Sequence, residues 1–233
     1  LAQAPSYVPA DGLVAWYPFS GDALDNSGQG LHLTQEGALF CPDRTGAADA
    51  AMEFGATADS LFSRLYFDGL VTDVTDNFSM AFWGNPFEST DLPQQGQTGN
   101  ENYPDQQMAW HPIHGQHLGP EDDHAGLGFG IGTNGIAFTE HSHAWVSAPL
   151  VVEEDLSGWH HYAVVVEAGV PMLSIDGGPF VVGEGSGRTL HLSLGIDPYY
   201  PEGGIGHGFQ VLDNCAVCNR YDGQLDDIGI WDR

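Results

Sequence analysis

An oxygen-rich loop near the start of the chain has the residue types of a calcium site. Asp22, Asp25, Asn26 and Ser27 lie within residues 20–30, together with three glycines. Carboxylate, amide and backbone carbonyl oxygens are the ligands that Ca²⁺ prefers, and glycine lets the backbone turn a carbonyl towards an ion. The spacing differs from that of an EF-hand loop. The loop therefore predicts calcium binding from its chemistry rather than from a known spacing.

A second group of residues with metal-binding chemistry is rich in histidine. It comprises His111, His114, His117, His124, His141 and His143. The first three recur at intervals of three, but Pro112 and Gly115 interrupt the segment, so a helix does not bring them together. Neutral imidazoles bind transition metals. His114, His124 and His141 are thus the candidates for a second metal site, and hydrogen bonding of these histidines within loops is the alternative.

The three cysteines leave several pairings open. Cys215 and Cys218 form a CxxC pair, and Cys41 lies far from them in the sequence. A disulfide would join Cys215 to Cys218, or Cys41 to one of them, and either choice leaves one free thiol. Free thiols and a metal site are the other two possibilities. Zinc would require more ligands close by than this sequence offers.

The segments around these residues have the pattern of strands. Apolar residues alternate over four to nine positions, turn residues separate the segments, and none shows a sustained helical period. Asn134-Gly135 and Asp176-Gly177-Gly178 are strong hairpin signals. The main predicted strands are Val14–Phe19, Asn77–Trp83, Gly126–Gly132, Gly135–Phe138, Ala144–Val152, Trp159–Val166, Pro171–Ile175, Pro179–Val182, Thr189–Leu194 and Gly223–Trp231. Many short strands at this spacing predict an all-β sandwich or barrel of antiparallel strands.

Length and composition define the domain and exclude some partners. The 233 residues suit one large β domain, which we place at residues 11–233 after an N-terminal extension of residues 1–10. Residues 84–107 and 196–221 lack a strand pattern and are predicted to be insertions. The net charge of −27 disfavours nucleic acid and anionic membrane surfaces. No apolar run approaches the roughly 20 residues of a membrane span, so no membrane insertion is expected.

Four segments resemble bacterial laminin-G-like modules of the concanavalin A-like lectin/glucanase superfamily. They are Gly12–Gly30, Asn77–Trp83, Trp159–Gly177 and Gly223–Trp231, which follow the family's order over nearly the whole chain. The resemblance implies a jelly-roll sandwich of two antiparallel sheets, often with a structural calcium near the paired termini. The chain departs from the family at Phe54-Gly55, which lacks the acidic residue usual after the phenylalanine, and in its two long insertions.

The resemblance and the loop chemistry together predict a calcium site between the two ends of the chain. Asp25 is its first ligand, and in the last strand the family pattern favours Asp226. Because side chains alternate along a strand, Asp226 and Asp227 are expected on opposite faces. The alternative is that these acids are ordinary surface carboxylates. The remaining predicted ligands are Asp22, Asn26 and backbone carbonyls near Gly21 and Gly30.

The sequence lacks the signatures of the enzymes considered. The glucanases of the superfamily have a strand with alternating acids, and no such run occurs here; nor does a Gly-x-Ser-x-Gly or HExxH motif. We therefore expect no catalytic activity. Recognition of a glycan or an extracellular protein is predicted instead, because aromatic rings in loops can stack on sugar faces. The candidate ligand-binding residues are Trp110, Trp145, Tyr199 and Tyr200, with core packing as the alternative.

Two other functions stay open at this stage. The chain could be a structural subunit of an extracellular filament or surface assembly, with Leu1–Ala10 adding a strand to the sheet edge of a neighbouring copy. A glycan-active hydrolase or lyase is the other alternative. All of these functions place the protein outside the cell, either secreted or on the cell surface.

Overall fold

The computed structural model describes residues 4–55, 63–99, 106–143, 145–208 and 219–233. Strands dominate this part of the chain, and its two short 3-10 helices span Gly115–His117 and Glu121–Asp123. No helix in the described ranges is long and apolar enough to cross a membrane. The strands are β1 (Leu13–Tyr17), β2 (Leu33–Glu36), β3 (Leu39–Cys41), β4 (Ala51–Phe54), β5 (Arg64–Phe67), β6 (Phe78–Pro86), β7 (Met108–Trp110), β8 (His124–Gly132), β9 (Gly135–Ser142), β10 (Val146–Ser147), β11 (Val151–Glu153), β12 (His160–Glu167), β13 (Val170–Ile175), β14 (Val181–Val182), β15 (Thr189–Leu192) and β16 (Gly223–Trp231).

Two large sheets pack face to face. Among the described strands, the larger sheet has the order β14-β13-β12-β6-β16-β4-β3, with β1 also paired to β16. The smaller has the order β10-β9-β8-β15, with β11 paired to β9 and β7 to β8, while β2 and β5 form a separate pair. Phe82 of β6 stacks on Phe129 of β8 at 5.3 Å between ring centroids, which joins the two sheets. The predicted two-sheet jelly-roll sandwich is confirmed, with one parallel pairing, β15 to β8.

The alternation in β6 shows how the sequence builds the core. Phe78, Met80 and Phe82 are buried between the sheets, whereas Ala81 and Trp83 point away from the core and are half-buried. A pleated strand turns successive side chains to opposite faces, so one face joins the core and the other remains available for contacts. The single-face alternation predicted for this segment is therefore confirmed.

The last strand, β16, lies in the middle of the large sheet. One of its edges pairs with β6, and the other pairs first with β4 and then with β1, as the sequence predicted for the two ends of the chain. Between these partners the register shifts, and Asp227 takes a positive φ of 50°. Because of this bulge, the prediction of strict alternation is wrong at Asp226 and Asp227. The carboxylates of both Asp226 and Asp227 reach Arg44 instead of lying on opposite faces.

A row of glycines on β8 allows another chain segment to lie directly on the small sheet. Gly126, Gly128, Gly130 and Gly132 occupy alternate positions and face away from the core. A Cβ atom on Gly128 would lie 2.4 Å from the backbone nitrogen of Pro112 and 2.5 Å from the carbonyl oxygen of Trp110. The chain around residues 106–113 therefore covers this face of the sheet.

Residues 4–10 of the predicted N-terminal extension pack on the outer face of the large sheet. Val8 is buried against Leu13, Trp16 and Trp231. The indole nitrogen of Trp231 donates a hydrogen bond of 2.7 Å to the carbonyl oxygen of Pro9. In this structure the segment contacts its own domain, and the proposed strand addition to a neighbour stays a prediction.

Candidate functional site

Three tryptophans come together on the outer face of the large sheet. Trp16 of β1, Trp83 of β6 and Trp231 of β16 lie at positions whose side chains point away from the core, and β16 runs between the other two strands. With Tyr7 they line a cavity of about 240 Å³. We call this cavity, with its polar residues Arg44, His161 and Asp227, the aromatic cleft. Concave sites with aromatic walls and a few polar groups are typical of ligand-binding sites.

An ion-pair network fixes the polar side of the aromatic cleft. Arg44 Nη1 lies 2.6 Å from Asp226 Oδ2, and Nη2 lies 2.9 Å from Asp227 Oδ2. The guanidinium carbon lies 4.5 Å from the centroid of the Trp83 ring. A guanidinium held by two carboxylates and an aromatic face has little freedom to move, so the cleft wall is pre-organised.

Two further polar groups of the cleft are uncharged. The His161 ring stands edge-on to Trp83 at 5.2 Å between centroids, and burial lowers its pKa, with Asp176 opposing that effect. The Trp16 indole nitrogen is buried and has no hydrogen-bond partner in the described part of the chain. A buried donor without a partner is uncommon in folded proteins and calls for an explanation.

The predicted calcium ligand Asp25 is occupied by protein donors. Its Oδ1 accepts hydrogen bonds from the backbone N–H groups of Trp16 and Ser27 at 3.0 and 2.8 Å. Its Oδ2 accepts from the Ser27 hydroxyl and from the N–H groups of Gly30 and Leu31 at 2.8–3.1 Å. A carboxylate offers about four lone-pair sites, so these five donors leave none for a metal ion.

The other predicted calcium ligands do not complete a site around Asp25. Asp22 is exposed and accepts a hydrogen bond from the N–H of Leu24, while Asp226 forms an ion pair with Arg44. No group of three or more His, Cys, Asp or Glu side chains in the described ranges is arranged to hold a metal ion. The carboxylates Asp25 and Asp226 in this arrangement do not fit a calcium ion, and Asn26 and the carbonyls near Gly21 and Gly30 stay predictions.

The histidines of the predicted second metal site are only partly gathered. His114 and His141 lie 4.6 Å apart between ring centroids. His124 lies elsewhere, with its Nδ1 2.8 Å from Nε2 of His191. Burial lowers the pKa of His141 to about 3 and also lowers that of His114. The structure therefore brings His114 and His141 together and places His124 beside His191. The second metal site stays a prediction.

A buried carboxylate organises the remaining histidines. Asp197 accepts hydrogen bonds from the backbone N–H groups of His114 and Tyr199 at 2.6 and 2.8 Å, and it lies 3.3 Å from His111 Nε2. Burial raises the pKa of Asp197, but the His111 ring and these N–H groups outweigh it and hold the pKa well below its usual range. These contacts tie the loop to Asp197 in this structure. Metal binding and hydrogen bonding within loops both stay predictions for these histidines.

The four aromatic residues predicted to bind ligand have different surroundings. Trp110 is only 2% exposed and packs in the core, so its proposed role is wrong. Trp145 is half-buried, with the Arg188 guanidinium carbon 4.1 Å from its ring centroid. Tyr199 is exposed and stacks on His114 at 5.0 Å, beside the half-buried Tyr200. Trp145, Tyr199 and Tyr200 stay predictions.

The cysteine predictions stay open. Cys41 is buried, and it has no disulfide partner among the residues that the structure describes. Burial and nearby acids, Glu53 foremost, raise its pKa to about 12. Cys215 and Cys218 lie outside the described residues, and their pairing stays a prediction.

Glu140 is a buried carboxyl group without a partner. It lies on β9 opposite Ser147, its side chain is fully buried, and neither oxygen forms a hydrogen bond in the described part of the chain. Burial raises its pKa to about 7, although the nearby Ser186 hydroxyl and the Arg188 charge oppose the shift. An ionised carboxylate is unfavourable here because Ser186 and Arg188 compensate only part of its lost hydration.

Replacing Glu140 with glutamine is expected to stabilise the protein at high pH. The pKa rises on folding from 4.5 to about 7, so the cost of the charge is absent below the unfolded pKa and grows as the pH rises through the folded one. At pH 8 the substitution should raise the free energy of unfolding by roughly 3 kcal/mol, and at pH 4 it should have no effect. Urea unfolding at both pH values measures this difference. Glu153→Gln, at an exposed position, is the control, and equal effects of the two variants would contradict the prediction.

The residues of the aromatic cleft were not predicted as a site from the sequence. Trp16, Trp83 and Trp231 were assigned to strands, and their outward direction follows from alternation with the core residues Ala15, Phe82 and Ile230. The signal in the sequence was that each of three strands has a tryptophan at an outward position. The order of the strands in the sheet was needed to show that the three rings meet.

Comparison with known proteins gives structural relatives only. No protein-family model matches the sequence, and no curated protein is significantly similar to it in sequence. Domain 4 of AbnA, a GH43 extracellular arabinanase from Geobacillus stearothermophilus, solved in complex with arabinotriose, matches with a TM-score of 0.57 and 13% identity, over 94% of this chain and 91% of that one. Trypanosoma rangeli sialidase in complex with sialic acid matches with a TM-score of 0.53 and 13% identity, over 97% of this chain and 31% of that one.

These matches support the fold and correct one functional expectation. At 13% identity they establish the two-sheet sandwich alone, and the chain spans about a third of the sialidase. The expectation that the chain is not an enzyme is contradicted, because both matched structures come from enzymes. The specific laminin-G-like assignment stays a prediction, since no family model supports it.

Proposed function

We propose that this chain is an extracellular glycan-binding module and that the aromatic cleft is its binding site. The observation that supports the proposal best is the cavity of about 240 Å³ lined by Tyr7, Trp16, Trp83 and Trp231. Aromatic faces pack against the apolar faces of sugar rings, and a few polar groups fix the orientation of the ligand. The arabinanase domain of similar fold was solved with a bound arabinotriose, and its enzyme is described as extracellular.

The charges around the cleft favour a neutral glycan over an anionic one. The positive charge of Arg44 is already matched by Asp226 and Asp227. The whole chain has a net charge of −27, so an anionic sugar would approach against a repulsive field. Neutral arabino-oligosaccharides are therefore the first probes, followed by other neutral oligosaccharides.

Replacing Trp83 with alanine is expected to weaken glycan binding at least tenfold. The substitution removes the half-buried ring that forms one wall of the cleft, and a tenfold loss corresponds to about 1.4 kcal/mol. Isothermal titration calorimetry with the panel of neutral oligosaccharides measures the affinity. Trp83→Phe keeps an aromatic face and should retain most of it.

Two controls separate this site from the earlier candidates. Trp145→Ala and Tyr199→Ala remove aromatic residues that lie outside the cleft. Both variants should bind as the wild type does. Loss of binding in either variant, with Trp83→Ala unaffected, would move the binding site to that residue, and no binding of any neutral glycan by the wild type would refute the proposal.

A structural subunit is the second candidate, supported by one exposed sheet edge. Strand β14 is at the end of the large sheet, and Phe180, Val181 and Val182 are 49%, 45% and 58% exposed. The segment from Gly177 to Gly183 contains no charged residue, so two copies would meet there with little local repulsion. Light scattering over a range of concentrations tests this candidate, and a monomer throughout excludes it.

A further inference from the structure

The loop after β3 holds Arg44 in a fixed position. Asp43 Oδ1 accepts three hydrogen bonds of 2.8 Å, from the N–H and hydroxyl of Thr45 and from the N–H of Ala47. The N–H of Asp43 also donates to the carbonyl oxygen of Ala47 at 3.0 Å. Such an Asp turn stabilises the loop through local hydrogen bonds. Arg44 therefore extends from a rigid turn towards β16.

The bulge in β16 presents two carboxylates to this arginine. Asp226 is only 2% exposed and Asp227 is 21% exposed at the side chain, and each binds a different guanidinium nitrogen. The Asp43 carboxyl group lies close enough to the pair to contribute to a raised pKa of both aspartates, after burial as the main cause. One positive charge thus lies among three acids, one of which is almost fully removed from water.

The Arg44 guanidinium lies between two carboxylates, which is where a bound metal ion would also lie. A buried carboxylate pair needs a positive counterpart, and removing that counterpart from a buried pair is strongly destabilising. Hard oxygen ligands would suit Ca²⁺, but the guanidinium already lies between them at hydrogen-bond distance. Asp25, the other expected ligand, is saturated by protein donors. The resemblance to calcium-containing modules therefore fails at the residues that should bind the ion.

We infer that the Arg44 guanidinium is the built-in cation of this fold, in place of a metal ion, and that Asp226 and Asp227 bind a divalent hard cation only when the guanidinium is removed. The wild-type protein is then independent of calcium for its stability. The Arg44→Met variant gains a calcium site, because methionine keeps an apolar stem over Trp83 but leaves the two carboxylates without a positive charge.

Thermal unfolding with EDTA and with about 10 mM CaCl₂ tests the inference. The wild-type melting temperature should change by less than about 1 °C between the two conditions, whereas that of Arg44→Met should rise with calcium by about 3 °C or more. Arg44→Met/Asp226→Asn should lose this response. Arg233→Ala is the control. It removes an arginine whose ion pair with Asp11, at 3.6 Å, is exposed. A wild type that melts earlier in EDTA, or an Arg44→Met protein that ignores calcium, would overturn the inference.

Terbium luminescence gives a second measurement that does not need a melting transition. Tb³⁺ binds the same hard oxygen ligands as Ca²⁺, and the Trp83 ring lies 4.5 Å from the place that the guanidinium occupies. Indole-sensitised emission should appear with Arg44→Met and be displaced by calcium, and it should be absent from the wild type and the double variant. Equal emission from all three proteins would refute a site at Asp226 and Asp227. None of these measurements uses a glycan, so they succeed or fail independently of the proposed function.

Discussion

Replacing Asp25 with alanine is expected to lower the free energy of unfolding by about 5 kcal/mol. The carboxylate accepts hydrogen bonds from Trp16, Ser27, Gly30 and Leu31, and it is itself only 5% exposed. Alanine would leave several N–H groups without an acceptor where water reaches them poorly, and each buried unsatisfied donor costs about 1–3 kcal/mol. Urea unfolding followed by circular dichroism measures the difference at pH 7.

The same variant has a defined pH dependence. Burial raises the pKa of Asp25, but the hydrogen bonds from Ser27, Trp16 and Leu31 outweigh it and hold the pKa below its ordinary value. The part of the stabilisation that depends on the charge is therefore present above the unfolded pKa and is lost as the pH falls through the folded one, so the difference between the two proteins should narrow in acid. Asp22→Ala, in the same loop, removes an exposed acceptor with one donor and should cost less than about 0.5 kcal/mol. Equal costs at the two positions would show that Asp25 does not organise the loop.

Replacing Gly128 with alanine is expected to destabilise the protein by about 4 kcal/mol. The new Cβ atom would lie 2.4 Å from the Pro112 nitrogen and 2.5 Å from the Trp110 carbonyl oxygen, and backbone atoms cannot rotate away as a side chain can. Overpacking of this kind typically costs about 1–3 kcal/mol, and more where the neighbour is fixed. The covering segment would have to lift from the sheet, and thermal and urea unfolding measure the loss.

Gly130 provides a matched control on the same strand and the same face. Its added Cβ atom would meet the Gln106 side chain at 3.1 Å and no atom closer than that. Gly130→Ala should therefore cost about 1 kcal/mol. If Gly128→Ala were as mild as Gly130→Ala, close packing of the 106–113 segment on the sheet would be disproved.

Features that depend on local pattern were predictable from the sequence. The alternation of Phe78, Met80 and Phe82 identified β6, and Asn134-Gly135 identified the β8–β9 hairpin, whose register pairs Gly132 with Gly135. These patterns reflect the two-residue period of a strand and the geometry of a tight turn. Both depend only on residues that are close together in sequence. The two-sheet sandwich followed from the number and spacing of such segments.

Features that depend on distant partners were not predictable. Arg44 and Asp226 are 182 positions apart in sequence, and the bulge that turns Asp227 to the same arginine leaves no pattern in the residues. Asp25 shows a different limit. An oxygen-rich loop has the same composition whether its carboxylate binds a cation or its own backbone N–H groups. Only the positions of the donors decide between the two, and these follow from the folded loop.

The position of β16 determines when the sheet can form. It is last in sequence among the described strands, yet it separates β6 from β4 and β1. During synthesis on the ribosome, the chain emerges from its N-terminus, so the large sheet must wait for its central strand. Contacts between such distant segments also slow folding, because long loops must close first. A chain that ends before β16 would therefore lose an interior strand of the large sheet rather than an edge strand.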